Sequence, residues 1–451
     1  MPDHPNVVLV HSHDIGRHLG CYGRGVSTPN VDAIAEEGRR FEEYFCAAPT
    51  CTPSRAAMNT GRYAHEVGLH GLVNRGWELD RGVPTLATAF RDAGYDTRLY
   101  GVQHVVPGTD ANLQRIGYER ANTESNRALD LAESFAADLG DAIGTSGDDP
   151  FLATLGFAEP HQAFRREYVD EEWYDRYTPE SVEPPPYLPD TRGVREDVAA
   201  MNALISGTVD PAVGRIDDAL RAAGVADETL LVYTNDQGIA FPRAKGTLYD
   251  SGIEGTLIVR GPGVDPGTED ALLSNVDLMP TLCAYAGIDC PPVSGRSFAP
   301  LLTGEGAYEP RERVYAELDY HRDYHPTRAV RTREHKYVRN FDHGMAYHLP
   351  TDIVTMRACD TVLEDVVATN RPAEELYDLD ADPHEQGPEG RYSLAPATQV
   401  TDPDDAAESA VAPDRLLALR EDLQDWMVEH DDPLLDGPIA PPSRPRPPFD
   451  W

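Results

Sequence analysis

Asn6-Val7-Val8-Leu9-Val10-His11-Ser12-His13-Asp14 begins as a short apolar, β-rich run and ends in a cluster of ionisable side chains. Three later stretches share that form. Thr97–Tyr100 leads to Gly101 and His104, Phe151–Phe157 leads to Glu159, Pro160 and His161, and Thr229–Tyr233 leads to Thr234, Asn235, Asp236 and Gln237. Runs of this length, bounded by turn residues, predict buried strands. Helix-like segments lie between them at Asn30–Glu43, Pro84–Ala93, Asn126–Leu139 and Ala212–Ala223. Strands alternating with helices predict an α/β fold, a mostly parallel sheet sandwiched by helices. Ligands bind beyond the carboxyl ends of the strands in such sheets. One polar cluster after a strand is an ordinary loop; four at one edge mark a candidate site.

Around residue 320 the texture changes. Ala329–Phe341 predicts one or two strands of a hairpin, Glu374–Leu379 a further short strand, and Asp414–His430 an amphipathic helix. Pro383–Pro413 predicts a long surface loop, and Gly437–Trp451 a Pro-rich extended tail. The expected division is a large α/β domain over residues 1–320 and a smaller C-terminal α+β domain over 321–451 containing an antiparallel sheet.

The 451 residues carry 39 Lys+Arg against 77 Asp+Glu, a formal charge of −38. That balance argues against nucleic acid and anionic membranes as partners. Lys245 and Lys336 are the only lysines. An acidic surface nearly free of lysine resembles that of proteins from salt-loving organisms, where dense carboxylates keep the chain hydrated. The six cysteines are too sparse for a disulfide scaffold. The N-terminal residues lack a basic n-region and a cleavage site, and no stretch reaches the roughly 18 apolar residues of a membrane span. The expectation is a cytoplasmic protein.

Cys51-Thr-Pro-Ser-Arg-Ala-Ala-Met-Asn-Thr-Gly-Arg62 carries the most chemistry. Pro53 suits the first turn of a helix. Cys51 then sits at a helix N-terminus, where backbone N–H groups and the helix dipole favour an anion. Arg55 lies one turn along the same face. From the residues alone, Cys51 is a nucleophile beside an anion site, a buried structural cysteine, or one half of a pair with Cys46.

Cys51-Thr-Pro-Ser-Arg55 followed by Thr60-Gly61-Arg62 resembles the signature of the sulfatase family, in the alkaline phosphatase-like superfamily. Asp14 with Leu19-Gly-Cys-Tyr-Gly23 is similar to that family's opening, and Thr234-Asn-Asp-Gln-Gly238 resembles its second metal motif. Val276-Asp-Leu-Met-Pro-Thr281, then Gly287 and Gly295-Arg-Ser, resembles its closing segment. Glu375-Leu-Tyr-Asp-Leu379 with Asp382-Pro383 resembles the start of its C-terminal sheet. Gly238-Ile-Ala-Phe-Pro242 is similar to the heparan N-sulfatase branch in particular.

The resemblance implies a sulfuric ester hydrolase whose Cys51 is oxidised to Cα-formylglycine by a maturation enzyme. The hydrated aldehyde offers two hydroxyls, one to attack sulfur and one to expel sulfate afterwards. It also implies one divalent cation, calcium above all, with manganese, magnesium or zinc as alternatives. Asp14, Asp236, Gln237 and residue 51 match its ligand positions. His13 stands where a first acid is expected, and imidazole suits manganese or zinc better than calcium. Lys245 and His161 match sulfate-contacting residues, and His161 can protonate the leaving group. His104 matches the histidine of a Gly-Lys-x-His motif whose lysine is here Val102. Arg17, Arg62 and Arg243 are alternative sources of the missing charge. The implied substrate is a sulfated carbohydrate or small molecule, with sulfamate cleavage open. Two other readings are a phosphonate monoester or phosphodiester hydrolase, and a catalytically silent sulfate- or glycan-binding protein with Cys51 unconverted.

Overall fold

The computed structural model describes residues 4–145, 150–161, 163–164, 166–386 and 413–442. Among these, eight strands form one sheet. Its spatial order is β5 (Arg120–Asn122), β4 (Asp96–Gly101), β6 (Phe151–Gly156), β1 (Asn6–Ser12), β7 (Thr229–Asn235), β8 (Leu257–Arg260), β2 (Arg39–Phe41) and β9 (Gly267–Glu269). The strands from β5 to β7 run parallel, and β8 is antiparallel to both its neighbours. All four runs read as strands from the sequence are central members of this sheet.

Period-two alternation divides each central strand between two cores. Val8 and Val10 of β1 join Ala153, Leu155, Leu231 and Tyr233 on one face, under the helices Ala128–Thr145, Arg192–Leu204 and Asp210–Ala222. Val7 and Leu9 join Leu99, Leu152, Leu230 and Val232 on the other, under the helices Cys51–Thr60, Leu86–Asp92 and Leu278–Ala286. Burial on both faces explains the near-continuous apolar runs Val7–Val10 of β1 and Leu230–Tyr233 of β7.

Parallel register puts the carboxyl ends of the strands at one edge. His11 of β1 lies beside Gly156 of β6 and Thr234 of β7, and Gly101 of β4 also pairs with Gly156. A Cβ at Gly156 would overlap the Val102 carbonyl oxygen, so glycine is what lets these chain segments close up there.

The helix expected over Asn30–Glu43 ends early. It spans Pro29–Glu37, and Arg39–Phe41 pairs with β8 and β9 as β2. Gly38 permits the change: a Cβ there would overlap the Val259 carbonyl oxygen. Strand pairing from far along the chain overrode the helical pattern.

A second, antiparallel sheet is built from β11 (Val314–Tyr320), β12 (Tyr324–Arg331), β13 (His335–Asn340) and β14 (Glu374–Asp378). The expected hairpin is thus β12 and β13. Val330, Tyr337 and Leu376 on one face receive Leu416, Leu419, Leu423 and Trp426 of the helix Pro413–Glu429. The other face packs Ala316, Leu318, Ala329 and Val338 on Phe45, Leu248, Ile253 and Leu272. A short parallel pair, β3 (Tyr44–Phe45) with β10 (Leu273–Ser274), lies beside it. Most of the loop expected over 383–413 and of the tail over 437–451 lies outside the described residues.

His65 fastens the segment after the Cys51–Thr60 helix to β11, its Nδ1 2.6 Å from Glu317 Oε2. Burial opposes the imidazolium charge, but Glu317 outweighs burial and lifts the pKa to about 9. Stability from this pair is therefore full below about pH 6.5 and fades as pH rises through about 9. We expect the urea midpoint to fall across that window, and His65→Ala to flatten the fall; unfolding curves at several pH values measure both.

Candidate active site

Four chain segments meet beyond the carboxyl edge of the sheet. The centre is Asp236, the residue after β7. Its Oδ1 accepts the Asp14 N–H at 2.9 Å and its own neighbour's N–H, that of Gln237, at 3.0 Å. Its Oδ2 faces His13 Nδ1 at 2.9 Å and accepts Arg55 Nε–H at 3.2 Å. Burial disfavours the carboxylate, but His13 and Arg55 prevail and hold its pKa well below the usual range.

The helix Cys51–Thr60 aims its N-terminus at this centre. It is locked by Ser54, whose Oγ donates to the Asp236 carbonyl, and by Asn275 Nδ2, which donates to Ser54 O at 3.1 Å and Oγ at 2.9 Å. Arg55 Nη1 donates to the Val102 carbonyl at 3.1 Å, and its Nη2 is buried without a hydrogen-bond partner among the described residues. Cys51 is buried and forms no disulfide; Cys46 is a separate free thiol. Burial pushes the Cys51 thiol up to about 12, with Lys245 pulling the other way.

Asp14 and His104 both have left-handed backbone conformations, φ 47° and 61°. Non-glycine residues there carry strain that the surrounding structure must hold. Asp14 Oδ1 accepts from Gln237 Nε2, and its Oδ2 accepts Lys245 Nζ at 2.8 Å. Gln237 Nε2 also lies 3.7 Å from Cys51 Sγ. Lys245 is fully buried. Burial opposes its charge, but Asp14 and Asp352 raise its pKa well above the ordinary value. His161 Nε2 lies 3.3 Å from Lys245 Nζ and 3.9 Å from Asp14 Oδ2. The rings of His104 and His161 pack edge-on against His13, with centroids 6.1 and 5.1 Å away. Burial holds His13 down to about 4 and His104 well below its usual value, so both imidazoles are neutral at pH 7.

His13, Asp14, Cys51, Arg55, His104, His161, Asp236, Gln237 and Lys245, the site residues read from the sequence, thus lie in one cluster. The three alternative cations do not join it. Arg17 turns to the Tyr44 carbonyl, Arg62 to the Pro292 carbonyl, and Arg243 to the carbonyls of His384 and Glu385.

The structure adds Asp352 and His321. Asp352 Oδ2 accepts Lys245 Nζ at 2.7 Å and lies 3.6 Å from His161 Nε2, and its Oδ1 lies 3.9 Å from His321 Nε2. Gly246 makes the approach feasible, because a side chain there would strike Pro350 and His348. Asp352 is 107 positions from Lys245 in a stretch without strand or helix periodicity, so nothing in the sequence pointed to it.

Ligand atoms of His13, Asp14, Cys51 and Asp236 lie within 4.8 Å of one another, a grouping able to hold a metal ion. The Gln237 side-chain amide oxygen, Oε1, is buried without a hydrogen-bond partner among the described residues. Two carboxylates and an orphaned carbonyl form an oxygen-rich donor set that fits a hard divalent cation.

A family model for sulfatases matches residues 5–288. The chain belongs to the sulfatase family. A second model, for the C-terminal part of N-sulphoglucosamine sulphohydrolase, matches residues 243–358 of this sulfatase. Human N-sulphoglucosamine sulphohydrolase is 27% identical over 487 residues, covering 96% of this chain and 92% of that protein. A solved structure from work on glycosaminoglycan metabolism by Bacteroides thetaiotaomicron superposes with a TM-score of 0.75 at 20% identity, covering 97% of this sulfatase and 100% of that chain. The phosphonate monoester hydrolase of Agrobacterium radiobacter superposes with a TM-score of 0.69 at 22% identity, covering 94% and 96%. At those identities the two structures establish a shared alkaline phosphatase-like fold. Among the described residues no helix is long and apolar enough to cross a membrane.

A cation bound only by the folded site stabilises it by about 2.7 kcal/mol at one hundred times its Kd. We expect calcium to raise the unfolding midpoint, chelation to reverse the rise, and Asp236→Asn to abolish it. Denaturant titrations with and without the ion read this directly.

Proposed function

We propose that this sulfatase hydrolyses a sulfated sugar, as an O-sulfate or N-sulfate, at Cys51 after its conversion to formylglycine by a maturation enzyme. The observation that carries the reading is the convergence of Arg55, Lys245 and His161 on the helix N-terminus that bears Cys51. A sulfate ester is an anion, and its hydrolysis needs charge neutralisation, a nucleophile and a proton for the departing atom. Arg55 and Lys245 neutralise the sulfate oxygens. Burial makes them effective, because fixed charges act strongly where water is excluded. His161 Nε2, at the mouth of the cluster, carries the proton to the leaving oxygen or nitrogen. His104, neutral and held by its strained backbone, offers a ring N–H to a sulfate oxygen.

The thiol as encoded is a poor nucleophile here. Only the thiolate attacks, and a thiol titrating at about 12 is protonated at neutral pH. The matured residue would instead supply a gem-diol hydroxyl. Asp14, Asp236 and the Gln237 carbonyl would hold the cation, which would polarise the sulfate oxygens. Oxygen donors favour calcium over zinc. His13 gives its Nδ1 face to Asp236, which suits a role in orienting that carboxylate.

Kinship with N-sulphoglucosamine sulphohydrolase over nearly the whole chain supports an amino-sugar sulfate as substrate. The likeness to a phosphonate hydrolase extends to the fold.

Three outcomes are expected. Intact mass of protein co-expressed with a maturation enzyme falls by the difference between CH2SH and CHO at residue 51, and an unshifted mass supports the silent reading. Cys51→Ala abolishes sulfate release while leaving the unfolding midpoint nearly unchanged. Lys245→Ala lowers kcat/KM by about 100- to 1,000-fold, as loss of an oxyanion contact does. Steady-state assays on 4-nitrophenyl sulfate and N-sulfoglucosamine measure both.

A further inference from the structure

A line of buried imidazoles that the proposed chemistry leaves unused runs outward from the cluster. It starts at Asp352, whose Oδ2 accepts Lys245 Nζ and lies 3.6 Å from His161 Nε2. Asp352 Oδ1 lies 3.9 Å from His321 Nε2. The rings of His321 and His348 follow with centroids 5.7 Å apart, and those of His348 and His325 with centroids 5.2 Å apart. His325 Nδ1 ends the line 3.5 Å from Oδ2 of Asp342, a side chain 29% exposed. A Cβ at Gly344 would stand 3.3 Å from that oxygen and 3.8 Å from His325 Nδ1, so glycine leaves the outer end uncovered.

The line is short of hydrogen bonds. Asp352 Oδ1, His321 Nδ1, His348 Nε2 and His325 Nε2 are all buried without a hydrogen-bond partner among the described residues. Buried polar atoms left open in this way are the ones that ordered water satisfies. A cavity of about 20 Å³ lies against His325 and His348, and one water needs about 10–15 Å³. Arg371 Nε, also unpartnered, belongs to the same lining. Tyr249 and Glu375 across the cavity are already bonded to each other at 3.0 Å.

The charged groups around the line are few. Lys245 and His161 face Asp352, Asp323 and Arg371 act on His325, and Arg371 also pairs with Asp342. Burial holds His321 down to about 4, His325 to about 3 and His348 well below its usual value. Each imidazole is therefore neutral at rest, with one nitrogen carrying a proton and the other open to accept one.

We propose that Asp352, His321, His348 and His325, joined by water, form a proton path from the reaction centre to Asp342 at the surface. The inference rests on the sulfatase reading and adds where its proton goes. A sulfate ester and water give an alcohol, a sulfate dianion and one proton. A sugar seated at the mouth covers His161, so that proton needs another way out. At each imidazole one nitrogen takes a proton as the other releases its own, and the ring is left neutral. Asp342 hands the proton to bulk water. A sulfamate and water give an ammonium and a sulfate dianion. Below the pKa of the amine, about 8 as for an α-amino group, no proton is left to carry.

The test uses the matured full-length protein in dilute buffer at about pH 6.5, where that amine is protonated. His348→Phe and His325→Phe each replace a relaying ring with one that has no nitrogen. On phenyl sulfate either change should lower kcat at least tenfold and leave kcat/KM within twofold, because proton export follows the bond cleavage that kcat/KM reports. Added imidazole should restore kcat, and kcat on N-sulfoglucosamine should fall less than twofold. Equal falls on both substrates, a fall shared by kcat/KM, a fall that imidazole does not relieve, or no fall on phenyl sulfate each overturn the path. A crystal structure of Cys51→Ala protein gives an arm independent of turnover and of whether the Phe variants fold. Ordered water in each gap from Asp352 to His325 supports the path, and dry gaps overturn it. Failure of the parent to release sulfate from any substrate instead overturns the sulfatase reading, and the water arm then still decides the path.

Discussion

A buried carboxylate held between a guanidinium and an imidazole organises this molecule. Asp236 lies wholly out of water, where an unpaired charge is costly and a paired one is tolerated only with its hydrogen bonds complete. Arg55 arrives from the helix that carries Cys51, His13 and the Asp14 N–H from the end of β1, and Gln237 from the next residue. Satisfying one carboxylate thereby fixes two adjacent strand ends and one helix N-terminus relative to each other. Lys245 extends the arrangement by bridging Asp14 to Asp352, so the antiparallel half of the molecule and the parallel sheet share one electrostatic centre.

That centre explains how a protein of charge −38 can receive an anion. The global field opposes a sulfate ester, yet exposed charges farther away than a Debye length are largely screened in salt. On the function proposed above, the substrate would meet a local environment: the buried Arg55 and Lys245 and a helix N-terminus. Buried charges escape most of that screening, so the site and the surface can carry opposite signs.

Sequence reading found the members of the cluster most readily where ionisable residues follow a strand. Parallel strands deliver their carboxyl ends to one edge, so Asp14, His104, His161 and Asp236 were bound to be neighbours once four apolar runs were recognised. Resemblance to the sulfatases added Gln237 and Lys245, and it favoured the nucleophile among the readings open for Cys51. The Pro29–Glu37 helix was overextended because Arg39–Phe41 becomes a strand only through pairing with distant β8 and β9. Asp352 was invisible for a related reason. It reaches Lys245 because Gly246 lets Pro350 and His348 approach, and close packing of two loops leaves no period in either.

Both lysines of the chain are buried against carboxylates, Lys245 as described and Lys336 between Asp250 and Glu385, 2.5 and 2.8 Å away. Every side-chain amine is therefore sequestered while the protein stays folded. Reagents that acylate amines find no lysine target until it opens. The same holds for enzymes that attach acetyl groups or ubiquitin. Labelling at the two lysines accordingly reports unfolding of this molecule with almost no native background.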